Sequence, residues 1–305
     1  MSRGPPNAEQ RWINTQRWVS EFSTTEEFKL LHDLVTKDEA TARDAVQQVD
    51  KMAIAATAAR GTGRGVASLV DYNVSLSVLE LAQQLEPTKQ TKLVEFMSLL
   101  QQNEQKNPAT GETLLVDSGR LFQDLPSFGY TELESWVQFG GAHVDPCDPD
   151  MIPEQKQRFA NLNAFIAQLS QAADVSVTPP DQIHPLDKTL HAIWTMQKAF
   201  ENKSRLPAEL VDTAAMRAAC MWFIYASDRL MDNVRSFRTF MDSASAGAHN
   251  SREEYASQGY KGYALGRWQL WRQGLGQALE ACSDEETKLL IGDALAKMES
   301  AEKKD

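Results

Sequence analysis

The strongest constraint on the fold is a set of four aromatic helical segments in the second half of the chain. They read RFANLNAFIAQL (158–169), TLHAIWTMQKAFE (189–201), AACMWFIYASDRL (218–230) and YALGRWQLWRQGL (263–275), and three of the four contain tryptophan. Large apolar residues recur in each segment at helical spacing, which predicts amphipathic helices. The sequence therefore predicts an all-α fold of about ten helices around a tryptophan-rich core, either a globular array or an irregular α-solenoid.

The chain is expected to divide into three consecutive parts. Residues 1–22 form a loose segment with a first helix, residues 23–110 an N-terminal helical part, and residues 111–305 a tryptophan-rich helical part packed with it as one domain. Hydroxyls and carboxylates at 23–27 are suited to opening a helix, because they accept from its free amides and favour its positive end. Further helices are predicted at 37–59, 66–85, 88–103, 131–139, 152–173, 184–203, 207–230, 263–281 and 283–299, with a connector at 104–129.

Charge and cysteine content argue against several classes of protein. The formal net charge is −11 over 305 residues, whereas nucleic-acid binding needs clustered lysine and arginine, so no nucleic-acid partner is predicted. No window approaches the roughly 18 apolar residues of a membrane span, and no signal peptide is evident. Cys147, Cys220 and Cys282 are too widely spaced for a disulfide framework or a zinc motif. We therefore expect an acidic, soluble protein of the cytoplasm, with the nucleus as the alternative.

The order of the aromatic helices carries a family resemblance. The succession LPSFGYTELESW, RFANLNAFIAQL, TLHAIWTMQKAFE, AACMWFIYASDRL and YKGYALGRWQLWRQGL resembles the fungal family filed as domain of unknown function 3632 over residues 120–282. The resemblance implies a fungal origin and an all-helical fold. It implies no activity, because none is established for the family, and no functional residue is carried over.

Two loops contain residue types that bind ligands in other proteins. The GTGRG stretch at 61–65 is glycine-rich like a phosphate loop, but it follows an alanine-rich helix and lacks the Lys-Ser or Lys-Thr pair, which favours a helix cap and turn. The second loop joins three carboxylates to an imidazole and a thiol, Asp145, Asp148, Asp150, His143 and Cys147. Its spacing is not that of a calcium loop, so we predict a solvated acidic loop and no metal site.

Two histidines form the best isolated acid–base candidate. His184 and His191 lie seven residues apart, close to one face if the helix begins near Pro185, with Asp187 between them. Two imidazoles and a carboxylate on one face could bind a metal or move protons. The alternative, which we favour, is that His184 caps the helix and His191 packs beside Trp194.

A second candidate is a pair of carboxylates at helical spacing. Asp228 and Asp232 follow the apolar run at 221–225, an arrangement similar to the magnesium–diphosphate sites of helical terpene cyclases. The aspartate-rich motif and the second metal triad of those enzymes are absent, which argues against that chemistry. Three arginines offer ion pairs to these acids instead: Arg229, Arg235 and Arg238.

The tryptophans themselves have two interpretations. They are either core residues that bury large area, or they line a pocket for an apolar ligand. The candidates for a pocket lining are Trp194, Trp222, Tyr225, Trp268 and Trp271, with Tyr260 and Tyr263 as further sources of hydroxyls.

Function is predicted mainly from what the sequence lacks. No serine-hydrolase elbow, zinc-protease motif or dinucleotide fingerprint occurs, and no cofactor is predicted. The leading hypothesis is a non-catalytic helical protein that binds another protein or itself through helix faces. The alternative is a fungal secondary-metabolism enzyme or carrier for an apolar small molecule in a tryptophan-lined cavity. His184, His191, Asp228 and Asp232 would then be its catalytic candidates, so whether the protein is an enzyme stays open.

Overall fold

The computed structural model describes residues 8–60, 67–116, 119–139, 144–178, 182–202, 205–240, 260 and 262–304. Within these ranges the chain forms eleven α-helices and one two-stranded antiparallel ribbon. The helices are α1 (Ala8–Phe22), α2 (Glu26–Thr36), α3 (Ala42–Arg60), α4 (Ala67–Gln84), α5 (Thr91–Gln101), α6 (Pro126–Phe139), α7 (Pro153–Ala172), α8 (Thr189–Ala199), α9 (Ala214–Arg235), α10 (Leu265–Ala281) and α11 (Glu285–Glu302). The strands are β1 (Leu115–Val116) and β2 (Gly119–Arg120). The all-α prediction is confirmed; the solenoid arrangement stays a prediction.

Two compact units make up the described chain. The N-terminal unit comprises the described residues up to Gln138 together with Val144. The C-terminal unit comprises Phe139 and the described residues from Asp145 onward. In the N-terminal unit α2 packs on α4, and α3 packs on both α4 and α5. In the C-terminal unit α9 is the central helix, because α7, α8, α10 and α11 all contact it.

Local signals account for several helix starts. The Thr25 hydroxyl accepts from Phe28 N at 3.3 Å and opens α2, as predicted from its sequence. Asp284 opens α11 in the same way by accepting from Thr287 N at 2.8 Å. Each cap satisfies an amide that the first helical turn leaves without an intrahelical acceptor.

Several predicted helix boundaries differ from the structure, among them those of α6, α8 and α9. Helix α6 begins at Pro126 inside the predicted connector, and its Ser127 N donates to the buried carboxylate of Asp71 at 2.9 Å. Helix α8 begins at Thr189 and not at 184. Helix α9 runs on to Arg235 but has non-helical backbone at Ala226. The first two differences arise at sites where polar contacts outside the helix fix the chain.

Candidate functional site

Trp222 of α9 lies fully buried in the C-terminal unit. Its Nε1 donates to Asn163 Oδ1 at 2.9 Å, and the same oxygen accepts from the Thr195 hydroxyl at 3.1 Å. Asn163 Nδ2 donates in turn to the Phe159 carbonyl at 2.8 Å. The polar atom of this indole is therefore bound within the core, as expected for a buried tryptophan.

Trp268 of α10 is also fully buried. Its Nε1 donates to Glu302 Oε1 at 2.7 Å, and Arg272 donates to the other oxygen of that carboxylate at 3.0 Å. The ring meets Phe223 edge-on, with centroids 5.6 Å apart. Trp268 thus joins α10 to the end of α11 through its N–H, and α10 to α9 through its ring.

The third tryptophan, Trp271, takes part in a buried ion pair that the sequence did not suggest. Glu201 and Arg267 are both fully buried and form a bidentate pair, with Nε–Oε1 at 2.6 Å and Nη2–Oε2 at 2.8 Å. Trp271 Nε1 donates to Glu201 Oε1 at 2.9 Å, and Arg267 Nη1 donates to the Gly262 carbonyl at 2.9 Å. Such a pair is tolerated in the interior because the geometry is good and the remaining polar atoms are bonded.

A second ion pair adjoins the first through the Gly262–Tyr263 peptide. The Arg238 guanidinium binds the buried carboxylate of Asp187, whose other oxygen accepts from Thr189 N at 3.0 Å. Tyr263 donates its hydroxyl to the Thr189 carbonyl at 2.7 Å and its amide to the Arg238 carbonyl at 2.9 Å. Burial raises the pKa of the Tyr263 hydroxyl, so it stays a neutral donor.

We call these side chains the buried charge cluster: Asp187, Glu201, Arg238, Tyr263 and Arg267. Its two carboxylates face two guanidiniums, so the formal charges balance. Each charged group has an opposite charge within hydrogen-bonding distance, which leaves none of them poised as a general base. The cluster connects four parts of the C-terminal unit. They are the chain before α8, the chain after α8, the chain that follows α9 and the start of α10. The sequence signal that could have revealed this cluster was the presence of charged residues within the aromatic helical segments.

The two candidate histidines lie on different elements. His184 sits in the turn before α8, where its Nδ1 accepts from Leu186 N at 3.2 Å. His191 is on α8, with its ring edge-on to Trp194 at 4.6 Å between centroids. Burial lowers the pKa of both imidazoles, and that of His191 to about 3. The carboxylate of Asp187, which the sequence pattern grouped with these two imidazoles, forms an ion pair with Arg238 instead.

The depressed pKa of His191 predicts a stability that depends on pH. Below its ordinary pKa of 6.5 the unfolded imidazole takes a proton that the folded one refuses, so stability falls as pH falls. We expect the C-terminal unit to lose about 2 kcal/mol between pH 7 and pH 5 through this residue. Guanidinium unfolding at the two pH values measures the loss of stability. The variant His191→Phe should lack the part of this loss that protonation of His191 causes. An unchanged pH dependence in that variant would contradict the prediction.

The carboxylate pair of α9 is exposed and ion-paired. Asp228 binds Lys304 at 2.5 Å, and Asp232 binds Arg235 at 3.6 Å. The Asp232 side chain is 63% exposed. Of the three arginines predicted to pair with these acids, only Arg235 does so in the described structure, since Arg238 binds Asp187 and Arg229 donates to the carbonyls that end α7.

The remaining aromatic candidates are less deeply buried. Tyr225 is half-buried against Ala160, Ala164 and Met221, and Trp194 is half-buried on α8. Tyr260 is half-buried too, and its ring lies against Gly266, where a Cβ atom would approach the hydroxyl to 2.6 Å. The predicted pocket residues therefore do not share one environment.

The acidic loop is held by its own contacts where the structure describes it. Asp145 accepts from Cys147 N at 3.2 Å and lies 3.7 Å from Lys198 Nζ, and Asp148 accepts from Asp150 N at 2.9 Å. Among the described residues, no three His, Cys, Asp or Glu side chains form a group able to hold a metal ion. His143 and the GTGRG stretch at 61–65 lie outside the described residues.

None of the helices in the described ranges is long and apolar enough to cross a membrane.

The N-terminal unit carries exposed apolar side chains on three helices that contact one another. Gln138 of α6 donates to the Thr15 hydroxyl of α1 at 2.8 Å, and Asp71 of α4 accepts from Ser127 N of α6. Two exposed apolar residues lie on each helix: Ile13 and Trp18 on α1, Leu69 and Tyr72 on α4, and Tyr130 and Leu133 on α6. We call these six residues the N-terminal apolar surface.

Comparison with known proteins identifies a family. The model of a family described as "Protein of unknown function (DUF3632)" matches residues 76–275. No curated protein and no solved structure matches the chain.

Proposed function

We propose that this chain, which belongs to the DUF3632 family, is a protein-interaction module that binds its partner through the N-terminal apolar surface. The observation that carries the proposal is the exposure of large aromatic side chains there. Tyr130 is 63% exposed and Trp18 is 44% exposed. Tryptophan and tyrosine are the residues that most often dominate binding energy at protein interfaces.

The interior of the C-terminal unit supports a binding role over a catalytic one. The N–H groups of Trp222, Trp268 and Trp271 donate to side chains of the protein itself. A small-molecule site instead needs convergent polar groups that are available to the ligand. Asp228 and Asp232, which the catalytic alternative would use, lie in ion pairs at the surface.

A cytoplasmic or nuclear location is part of the proposal. It is supported by the thiols of Cys220 and Cys282, which are both free and buried. Thiols in this state are typical of proteins kept in reducing compartments.

The proposal predicts that polar substitution of the surface weakens partner binding without unfolding the protein. In the double variant Tyr130→Ser, Leu133→Ser we expect partner affinity to fall by about thirtyfold or more, since a hot-spot pair is worth about 2 kcal/mol. Proteins crosslinked to the tagged wild-type chain in cells of its source would be identified, and the affinity of each purified partner measured for both forms.

The matched control is Leu289→Ser, which changes a residue of α11 that is 70% exposed and lies in the other unit. It should bind as the wild type does. If every partner binds the double variant and the control with equal affinity, the proposed surface is wrong.

A further inference from the structure

Helix α11 covers the C-terminal unit with one narrow face. Its buried residues follow each other at steps of three and four: Thr287, Ile291, Ala294, Met298 and Ala301. They pack on α9 and α10, and Leu290 packs against a cluster formed by Ala160 and Ala164 of α7 and Met221 of α9. This spacing is that of a helix seated in a groove between other helices.

The end of α11 is held by polar groups of the same two helices. Trp268 is notable here because its N–H, the only polar atom of a buried ring, is directed at α11. The contacts are Arg235 to the Ala301 carbonyl (3.1 Å), Trp268 and Arg272 to Glu302 (2.7 and 3.0 Å), and Lys304 to Asp228 (2.5 Å). These contacts show that the groove between α9 and α10 matches both the apolar face and the charged end of α11.

The hinge between α10 and α11 contains no residue that forbids a helix. From Gln277 to Ile291 the chain has neither proline nor glycine. The break rests on the extended backbone of Cys282 (φ −70°, ψ 132°) and on the cap that Asp284 provides. The same sequence can therefore continue as one helix from α10 into α11.

A continuous helix would separate the two buried faces. At 3.6 residues per turn, the buried face of α10 and the stripe of α11 would lie about 160° apart. The other helices of the same copy could then cover only the buried face of α10. The α11 stripe would need a second groove, and a second copy of this chain supplies the groove that fits it.

We propose that two copies exchange α11 reciprocally, each placing its helix in the groove of the other. This inference is independent of the N-terminal apolar surface and goes beyond it, because it concerns self-association through the other unit. Exchange preserves every contact of α11 and changes only the three-residue hinge, which is the usual basis of domain swapping.

Two hinge variants test the proposal in the full-length chain. Asp284→Ala removes the cap that favours the monomer, in which α11 packs on its own chain. We expect it to raise the association constant of the dimer about twentyfold. Ser283→Pro keeps the preceding residue extended, as it already is, but blocks a continuous helix. It should lower the constant by more than about a hundredfold. Light scattering after gel filtration, over a range of concentrations and after partial unfolding in guanidinium, measures both.

A charge exchange provides a test that does not depend on the hinge. Asp228→Lys and Lys304→Glu each replace an attraction by a repulsion, but exchanged helices in a mixed dimer restore both attractions. Mixing the two variants under partly unfolding conditions should give mixed dimers above their random share, measured by native mass spectrometry. Mixed dimers at the random share, an Asp284→Ala protein that stays monomeric, or an unchanged dimer fraction in Ser283→Pro would each overturn the proposal.

Discussion

Replacing Arg267 by methionine is expected to lower the free energy of unfolding of the C-terminal unit by about 3–5 kcal/mol. The variant leaves the carboxylate of Glu201 fully buried, with the Trp271 N–H as its remaining partner among the residues that the structure describes. It also removes the donor to the Gly262 carbonyl. An uncompensated buried charge is among the most damaging changes that a single substitution can cause. Guanidinium unfolding followed by tryptophan fluorescence measures the loss.

A second substitution separates the effect of charge from that of packing. The double variant Arg267→Met, Glu201→Gln keeps an acceptor for Trp271 without the charge. It should be more stable than the single variant by about 1 kcal/mol or more.

Arg272→Met is the matched control. Arg272 lies on the same helix and binds Glu302, but its side chain is 50% exposed. Exposed pairs contribute about 1 kcal/mol or less, because solvent screens them. If Arg267→Met cost no more than Arg272→Met, the buried pair would not be the stabilising element that its geometry indicates.

The contrast between these two arginines explains what sequence reasoning could reach. Both stand in the same aromatic segment, GRWQLWRQ. Helical spacing allowed Trp268 and Trp271 to be either core residues or the lining of a pocket, and both side chains are fully buried. It could not distinguish Arg267 from Arg272, because burial of Arg267 depends on Glu201, 66 residues earlier in the chain. Pairing over that distance is a property of the fold.

The histidine turn shows the same limit for a candidate site. Pro185 is a residue favoured in the first helical turn, so the pattern predicted a helix from 184. In the structure, the turn is closed by Asp187 N bonding to the His184 carbonyl at 2.8 Å, and Asp187 is held by Arg238. The helix start is thus displaced by a residue 51 positions later, and the two imidazoles end up on different elements. Local caps such as Thr25 and Asp284 depend on nearby residues only, and these could be predicted.

Substituting Gly262 by alanine is the second change expected to have a large effect, about 2–4 kcal/mol of destabilisation. Gly262 has a φ of +60°, which side chains rarely adopt. A Cβ atom there would lie 2.3 Å from the Arg238 carbonyl oxygen and 2.9 Å from the Thr239 Cα. Both neighbours are backbone atoms, so a side-chain rotation cannot relieve the overlap. The displacement would also disturb the Tyr263 amide bond to Arg238 and the Arg267 bond to the Gly262 carbonyl.

Substitutions at two other glycines separate the contribution of backbone strain from that of steric overlap. Gly111 has a φ of +75° but open space around its Cα, so Gly111→Ala should show only the backbone strain, about 1 kcal/mol. Gly276 lies within α10, also with open space, so Gly276→Ala should stabilise the helix by up to about 1 kcal/mol. Thermal and guanidinium unfolding of the three variants would rank them. A Gly262→Ala loss no larger than that of Gly111→Ala would show that the chain on either side of Gly262 can move apart. The close approach of residues 238–239 to 262–263 would then not be what holds the end of α9 against the start of α10.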